Sequence, residues 1–140
     1  MQGVILAAGK GSRLHPITLK RSKAMLPILG RPMVERVMET VYQNGVTDFV
    51  LVVSEDDRDI LRHFQEEGPP QARVRFVFQR ERLGMADALR QAAPLIEGDF
   101  VLSACDNLTS AEHVRELIDC YRAHPGAGAV LSVMRIPEEQ

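Results

Sequence analysis

Two glycines and two separated basic side chains follow the first apolar run of the chain, and together they could bind phosphate. Gly9 and Gly11 would let the backbone approach a ligand with its N–H groups turned outward, and such a nest binds phosphate oxygens. Arg13 can donate to two phosphate oxygens at once, and Lys23 adds a mobile positive charge. Together these four residues predict an anionic ligand with more than one phosphate.

The glycine pair alone is a weak signal, because many such loops are only tight turns. Its spacing differs from the dinucleotide-binding fingerprint, since no third glycine opens a helix at the right distance. It also differs from a Walker loop, because the required Gly-Lys-Ser/Thr does not follow at the right distance. The phosphate interpretation therefore depends on the longer string around the glycines.

Asp106 stands just beyond a later apolar run, in the string ACDN at residues 104–107. A carboxylate at the ligand edge of a sheet is well placed to hold Mg²⁺, which prefers few carboxylates together with phosphate and water oxygens. A turn or helix-cap role near Thr109 is the alternative. Asp99 begins the same run at its opposite end, so it is assigned no catalytic role.

Apolar runs alternate with helical patterns along the chain, which predicts the elements that must position these side chains. Strands are predicted at residues 3–8, 48–54, 73–79, 99–105 and 127–136. Helices are predicted at residues 32–45, 56–67, 84–96 and 110–124. The second and fourth strands are nearly continuous apolar runs, typical of strands covered on both faces. The order predicts a parallel α/β sheet with right-handed crossovers, whose ligands bind at the carboxyl ends of the strands.

The composition sets limits on the class of protein. The 140 residues suit one domain, and the formal net charge of −2 argues against a nucleic-acid-binding or membrane-surface protein. Cys105 and Cys120 have no metal or redox spacing, so both are interpreted as reduced thiols in or near the core. This usage predicts a cytoplasmic location, and no apolar run is long enough to span a bilayer.

The string LAAGKGSRLHPIT at residues 6–18, followed by SKAMLPILGRPM at residues 22–33, closely resembles the signature of the sugar-1-phosphate nucleotidylyltransferases. The resemblance implies a Rossmann-like three-layer α/β sandwich with a mostly parallel sheet, of the glycosyltransferase-A type. Transferases for methylerythritol or molybdopterin substrates share the beginning of the string but reach their lysine sooner. Here Arg13 and Lys23 are ten positions apart with Pro16 and Thr18 between them, which favours the sugar-phosphate branch.

The resemblance also implies roles for particular residues. Arg13 would steady the β- and γ-phosphates of a nucleoside triphosphate, Lys23 would lie near the α-phosphate or the sugar phosphate, and Asp106 would hold Mg²⁺. A second matching string, FQRERLGMADAL at residues 78–89, implies a nucleobase site, although Met85 stands where threonine or leucine is common. The nucleotide-binding residues implied are Leu6, Ala7, Ala8, Gly9, Gly11, Ser12, Gln79 and Gly84.

The implied reaction joins a sugar 1-phosphate to a nucleoside triphosphate, giving an NDP-sugar and pyrophosphate. The resemblance covers essentially all 140 residues but only about half of a family catalytic domain. We therefore expect residues 1–140 to be a single nucleotide-binding domain, the N-terminal half of a catalytic domain and a truncated form of its fold. Such a chain would bind nucleoside triphosphate yet be catalytically incomplete.

Several alternatives stay open at this point. A non-catalytic nucleotide-binding module with a regulatory or scaffold role fits the same residues. A glycosyltransferase that consumes NDP-sugar fits less well, because ACDN offers one aspartate where that class usually has two. The base and the sugar are undetermined, with a weak preference for uridylyl or thymidylyl transfer. A homo-oligomer is also left open, since an uncovered edge at the last predicted strand would favour association.

Overall fold

Four parallel strands form the central sheet of the computed structural model, which describes residues 1–136. Within that range four α-helices surround the sheet, and a short antiparallel pair of strands precedes the first helix. The elements are β1 (Gln2–Leu6), β2 (Pro27–Ile28), β3 (Arg31–Pro32), α1 (Met33–Tyr42), β4 (Asp48–Val53), α2 (Arg58–Glu67), β5 (Arg73–Phe78), α3 (Met85–Ala92), β6 (Phe100–Ala104) and α4 (Ala111–Ala123).

The sheet has the strand order β5-β4-β1-β6, with every neighbouring pair parallel. β1 is central, and Val4 lies opposite Val50 of β4 on one side and Leu102 of β6 on the other. Parallel neighbours need a crossover connection, and helices supply it between these strands. The predicted parallel α/β sheet is confirmed.

Helices cover the two faces of the sheet through residues of opposite parity, as the pleat requires. On one face Ile5, Phe49 and Leu51 pack against α1, α2 and α4 in the larger core. On the other face Val4 and Val50 pack against Ala88 and Ala92 of α3 in a smaller core. The predicted three-layer sandwich is therefore confirmed.

The predicted strand at residues 127–136 is wrong, because the structure has no strand in that segment. Its apolar side chains Leu131, Val133 and Met134 are 79%, 85% and 86% exposed. β-branched residues favour a strand only where a ladder and neighbouring side chains receive them. Among the described residues this segment pairs with no strand, so β6 is an edge strand, as β5 is on the other side of the sheet.

β6 also differs from the prediction that it is covered on both faces. Phe100 and Leu102 are 38% and 44% exposed, whereas β4 is buried from Phe49 to Val53. α3 packs mainly over β1, β4 and β5. An apolar run thus marks a strand but does not show whether both of its faces are covered.

The two cysteines lie in different environments. Cys105 is buried, and burial raises the pKa of its thiol to about 11. Cys120 is exposed, so its predicted place in or near the core is wrong. α4 buries Val114 and Ile118, and a residue two positions after Ile118 points to the opposite side of a helix. No helix in the described range is long and apolar enough to cross a membrane.

Local sequence signals account for the start of α4 and the end of α3. Ser110 caps α4, since its Oγ accepts the backbone N–H of His113 at 3.1 Å. α3 ends at Ala92, and Pro94 lies in the short 3₁₀ turn that follows. The β2–β3 pair was not predicted, because two-residue strands are too short to show a period. Its turn places Leu29 and Gly30 at φ 49° and 81°.

Candidate functional site

The carboxyl ends of the four parallel strands bring the loops of the candidate site side by side. Backbone hydrogen bonds of the sheet continue past the ends of its strands. The backbone N–H groups of Ala7, Gln79 and Cys105 donate to the carbonyls of Val52, Val53 and Leu6 at 2.7, 2.8 and 3.0 Å. These bonds hold the starts of three loops in register. They also explain why Leu6, Ala7 and Ala8 are buried while the glycines after them are not.

The loop after β1 folds back on itself around Gly11. Gly11 has φ +61°, and its carbonyl accepts the hydroxyl of buried Thr18 at 2.8 Å. A Cβ at Gly11 would lie 2.9 Å from Cβ of Lys23 and 3.0 Å from Cγ2 of Thr18. Glycine is therefore required here both for its backbone conformation and for close packing. Thr18 was predicted only as part of a motif, and the structure gives it a contact that shapes the loop.

Lys23 and Asp106 form an ion pair across the site. Nζ of Lys23 donates to Oδ2 of Asp106, although the two residues are 83 positions apart in the chain. This hydrogen bond is the main cause that lowers the pKa of Asp106 below its usual range. Buried Ala24 anchors the turn Lys23–Met25 that carries the lysine. Asp106 is thus an anion at neutral pH, held at the carboxyl end of β6.

The donor groups around Asp106 determine whether Mg²⁺ fits this position. In residues 1–136 no cluster of three or more His, Cys, Asp or Glu side chains could hold a metal by itself. Asp106 is a partly exposed carboxylate, and Mg²⁺ commonly takes one or two carboxylates with phosphate oxygens and water. The donor set therefore fits Mg²⁺ as an ion shared with a phosphate ligand, and does not fit an all-protein metal cage.

Gln79 and Gly84 lie together between β5 and α3. The Gln79 side chain is 4% exposed, and its amide nitrogen donates to the Gly84 carbonyl at 3.2 Å and to Asp87 Oδ2 at 2.9 Å. The bond from Gln79 is the main cause that lowers the pKa of Asp87. With the nitrogen engaged, the amide oxygen is the atom of Gln79 that can accept from a base. Gly84 has φ +96°, and apart from Gly84 and its two chain neighbours no residue has an atom within 4 Å of the position of a Cβ.

A cavity of about 480 Å³ opens between the loops that follow β1 and β4. It is rich in charged groups of both signs, and burial raises the pKa of Asp57 at its wall. The Asp57 carboxylate accepts the backbone N–H of Ser54 at 2.8 Å. The lining residues are Gly9, Lys10, His15, Thr18, Leu19, Lys20, Arg21, Ser22, Asp56, Asp57, Asp59 and Arg82.

The structure brings together some of the predicted residues and leaves others apart. Gly11 contacts Lys23, which pairs with Asp106, and Gln79 contacts Gly84. Ser12 and Arg13 are exposed on the turn Ser12–Leu14 and do not line the 480 Å³ cavity. Sequence reasoning missed Arg82, Ser54 and Asp57, which have no motif of their own. Their one signal was a position at the end of a predicted strand or within three residues after it.

The parallel sheet, its two helical layers and the loops at its carboxyl edge define an α/β protein of the nucleotide-sugar transferase fold. A family model described as "Nucleotidyl transferase" matches residues 2–140. The chain therefore belongs to the nucleotidyl transferase family.

Named relatives show which parts of larger proteins the chain resembles. The chain is 36% identical over 102 residues to a bifunctional protein GlmU of Methanococcus maripaludis, covering 73% of this chain and 24% of that protein. It is 35% identical over 113 residues to the UTP–glucose-1-phosphate uridylyltransferase AglF of Haloferax volcanii, covering 79% and 45%. These relatives are thus matched over less than half of their length.

A solved structure supports the fold. The UDP-glucose pyrophosphorylase from Acinetobacter baumanii superposes with a TM-score of 0.79, covering 89% of this chain and 53% of that chain. At 22% identity this likeness concerns the fold alone. The chain therefore spans about half of that structure.

Proposed function

We propose that the protein is the nucleotide-binding part of a sugar-1-phosphate nucleotidyltransferase. A sugar 1-phosphate would attack the α-phosphorus of a nucleoside triphosphate, forming a new phosphorus–oxygen bond and releasing pyrophosphate. The observation that carries the proposal is the Lys23–Asp106 pair beside the loop fixed by Gly11 and Thr18. It combines a mobile cation, a carboxylate and a backbone loop shaped for phosphate at one edge of a parallel sheet.

Catalysis in this proposal comes from position and charge, and no protein nucleophile is needed. Arg13, exposed on its turn, would steady the β- and γ-phosphates and the departing pyrophosphate. Lys23 would leave Asp106 for the phosphates near the reacting α-phosphorus, and Asp106 would then be free to hold Mg²⁺. When bound, this ion would supply further neutralisation of charge on the triphosphate oxygens.

The loop after β1 would bind the phosphates of the nucleotide, and the loop after β5 would bind its base. Leu6, Ala7 and Ala8 would lead into the phosphate loop, where Gly9, Gly11 and Ser12 offer backbone N–H groups. Gln79 and Gly84 would hold the base from the other side. The similarity to AglF, whose name includes UTP, supports UTP over the other nucleoside triphosphates as the donor.

The extent of the chain bears on what it can do. We propose that residues 1–140 form one nucleotide-binding domain that is half of a catalytic domain, because the matched relatives and structure are larger. Such a chain would bind triphosphate and turn it over little. The alternative is a non-catalytic regulatory or scaffold module. A cytoplasmic location and homo-oligomer formation belong to this proposal as well.

A thermal-shift panel of the four nucleoside triphosphates, each with and without Mg²⁺, tests the proposal. Selective binding raises the melting temperature of the folded chain according to affinity. We expect UTP with Mg²⁺ to give the largest shift. A coupled assay for pyrophosphate release, with common sugar 1-phosphates, separates a transferase from a binding module. No shift with any nucleotide contradicts the proposal.

Replacing Arg13 with alanine should weaken triphosphate binding by about 1.5–3 kcal/mol, the usual contribution of a hydrogen bond to a charged group. Arg13 is exposed on the turn Ser12–Leu14, so its loss should leave stability nearly unchanged. Titration calorimetry measures the affinity. Arg62→Ala, an exposed arginine on α2, is the matched control. Equal affinities of the Arg13 variant and the unaltered protein would remove Arg13 from the site.

Replacing Gln79 with alanine should narrow the affinity gap between the preferred nucleotide and its competitors. The physical reason is that the variant loses the side-chain amide that follows β5 and donates to the Gly84 carbonyl. Affinity for pyrophosphate, which has no base, should stay the same and so serves as the internal control. A competition titration with UTP, CTP and GTP measures the gap. An unchanged preference would mean that the base is recognised elsewhere.

A further inference from the structure

We infer that Arg82 is a positioning residue that joins the base-side loop to the phosphate-side loop, so that a nucleotide is held by both halves at once. The inference rests on the proposed function, because it concerns the same nucleotide site. Arg82 lies between Gln79 and Gly84 on the loop after β5. It lies inside the string FQRERLGMADAL at residues 78–89, but the family resemblance gives it no role.

The side chain of Arg82 contacts two other loops. Its Nε donates to the carbonyl of Ala8 at 2.9 Å, and one terminal nitrogen donates to Oγ of Ser54 at 3.0 Å. Ala8 ends the buried segment before Gly9, and Ser54 follows β4. One guanidinium thus connects the loops that follow β1, β4 and β5.

Both acceptors are held firmly by the rest of the protein. Ala8 and Ser54 are each 5% exposed. The backbone N–H of Ser54 donates to the carboxylate of Asp57 at 2.8 Å, which fixes the turn that presents the hydroxyl. The contacts of Arg82 therefore set the position of its own loop, including Gln79 and Gly84, against a fixed frame.

Arginine is suited to this task in a way that lysine is not. The guanidinium is planar and directs its N–H groups in fixed, divergent directions, so it can reach two acceptors on different loops. It also lines the 480 Å³ cavity together with Gly9 and Lys10. A ligand that touches both loops gains from their being held at a fixed separation, because less motion is lost on binding.

The same loop supplies a matched control. Arg80 lies two residues before Arg82, and its side chain is 83% exposed. Its Nε pairs with Oε1 of Glu55 at 3.0 Å on the surface. Arg80→Ala removes the same charge from the same loop without removing a bond to Ala8 or Ser54.

The test compares the binding of three ligands by the full 140-residue chain: UTP, uridine and inorganic tripolyphosphate. We expect Arg82→Ala to weaken UTP binding about tenfold, while uridine and tripolyphosphate each change by less than about threefold. Arg82→Lys should give an intermediate result, and Arg80→Ala should change none of the three. If tripolyphosphate weakens as much as UTP, Arg82 contacts phosphate directly and the positioning role is overturned. If UTP binding is unchanged, the inference is also overturned.

Hydrogen exchange of the ligand-free protein tests the connection without any nucleotide. Arg82→Ala should speed exchange of the amides at residues 9–12 and 80–84 about tenfold, whereas Arg80→Ala should leave them unchanged. If the unaltered protein binds no nucleotide but this acceleration is found, the proposed function fails and the loop connection stands. If exchange is the same in both variants, the connection itself is overturned.

Discussion

Alanine in place of Gly11 is expected to remove nucleotide binding and to destabilise the loop that follows β1. The left-handed backbone at φ +61° costs an L-residue about 1–2 kcal/mol, and forcing a Cβ between Lys23 and Thr18 costs about 1–3 kcal/mol more. The expected total cost is about 2–5 kcal/mol. Part of it is a loss of folding stability, and part is weaker nucleotide binding because Lys23 is displaced. Urea denaturation and calorimetric titration with Mg²⁺–UTP measure the two parts.

Gly9→Ala is the control for the stability measurement. Gly9 has no positive φ, and apart from Gly9 and its two chain neighbours no residue has an atom within 4 Å of the position of its Cβ. The added methyl group should leave the stability of the free protein nearly unchanged. If Gly11→Ala were as stable as Gly9→Ala and bound UTP as well as the unaltered protein, the shape we assign to this loop would be wrong.

Reversing the charge of Lys23 with Lys23→Glu should lower the affinity for triphosphate by more than a hundredfold. At an effective dielectric constant of about 20, two unit charges 4 Å apart interact by roughly 4 kcal/mol, and the variant turns attraction for phosphate into repulsion. It also places a second carboxylate beside Asp106. Calorimetry measures the affinity. Arg122→Glu, on the last turn of α4, is the control with the same net charge.

The same variant should change how Asp106 titrates. In the unaltered protein the bond from Lys23 lowers the pKa of Asp106. Its ionised form therefore contributes stability above the unfolded-state pKa, and this contribution disappears as pH falls through the folded-state pKa. In Lys23→Glu the pKa of Asp106 should move upward instead. Carboxyl NMR signals followed between pH 2 and 7 show the direction, and an unmoved pKa would contradict the observed pairing.

β4 and β6 show how much of the fold could be predicted from the sequence. Both are apolar runs that follow helical patterns, so their existence, their parallel direction and their place in a layered sheet were predictable. The prediction that both strands are covered on both faces holds for β4, which is buried from Phe49 to Val53, and fails for β6, where Phe100 and Leu102 are exposed. That difference depends on which helix lies over which strand, and local sequence carries no signal of it. The segment 127–136 failed for the same reason, since its β-branched residues have no ladder to join.

The candidate site divides in a similar way. The approach of Asp106 to Lys23 was predictable in outline, because parallel strands bring their carboxyl ends to one edge. The contact of Thr18 with Gly11 and the contacts of Arg82 with Ala8 and Ser54 were not predictable. Hydrogen bonds between loops join residues with no fixed spacing along the sequence, so no periodic pattern predicts them.

The central place of β1 has a consequence for the order in which the molecule assembles. β1 is the first strand of the chain, yet one of its edges pairs with Phe100–Ala104, about a hundred positions later. Closing so long a loop is entropically costly and slow, whereas β4 and β5 are separated by one helix. During synthesis that edge of β1 stays unpaired until β6 has left the ribosome. Asp106 follows β6, so the ion pair with Lys23 becomes available only when β6 docks against β1.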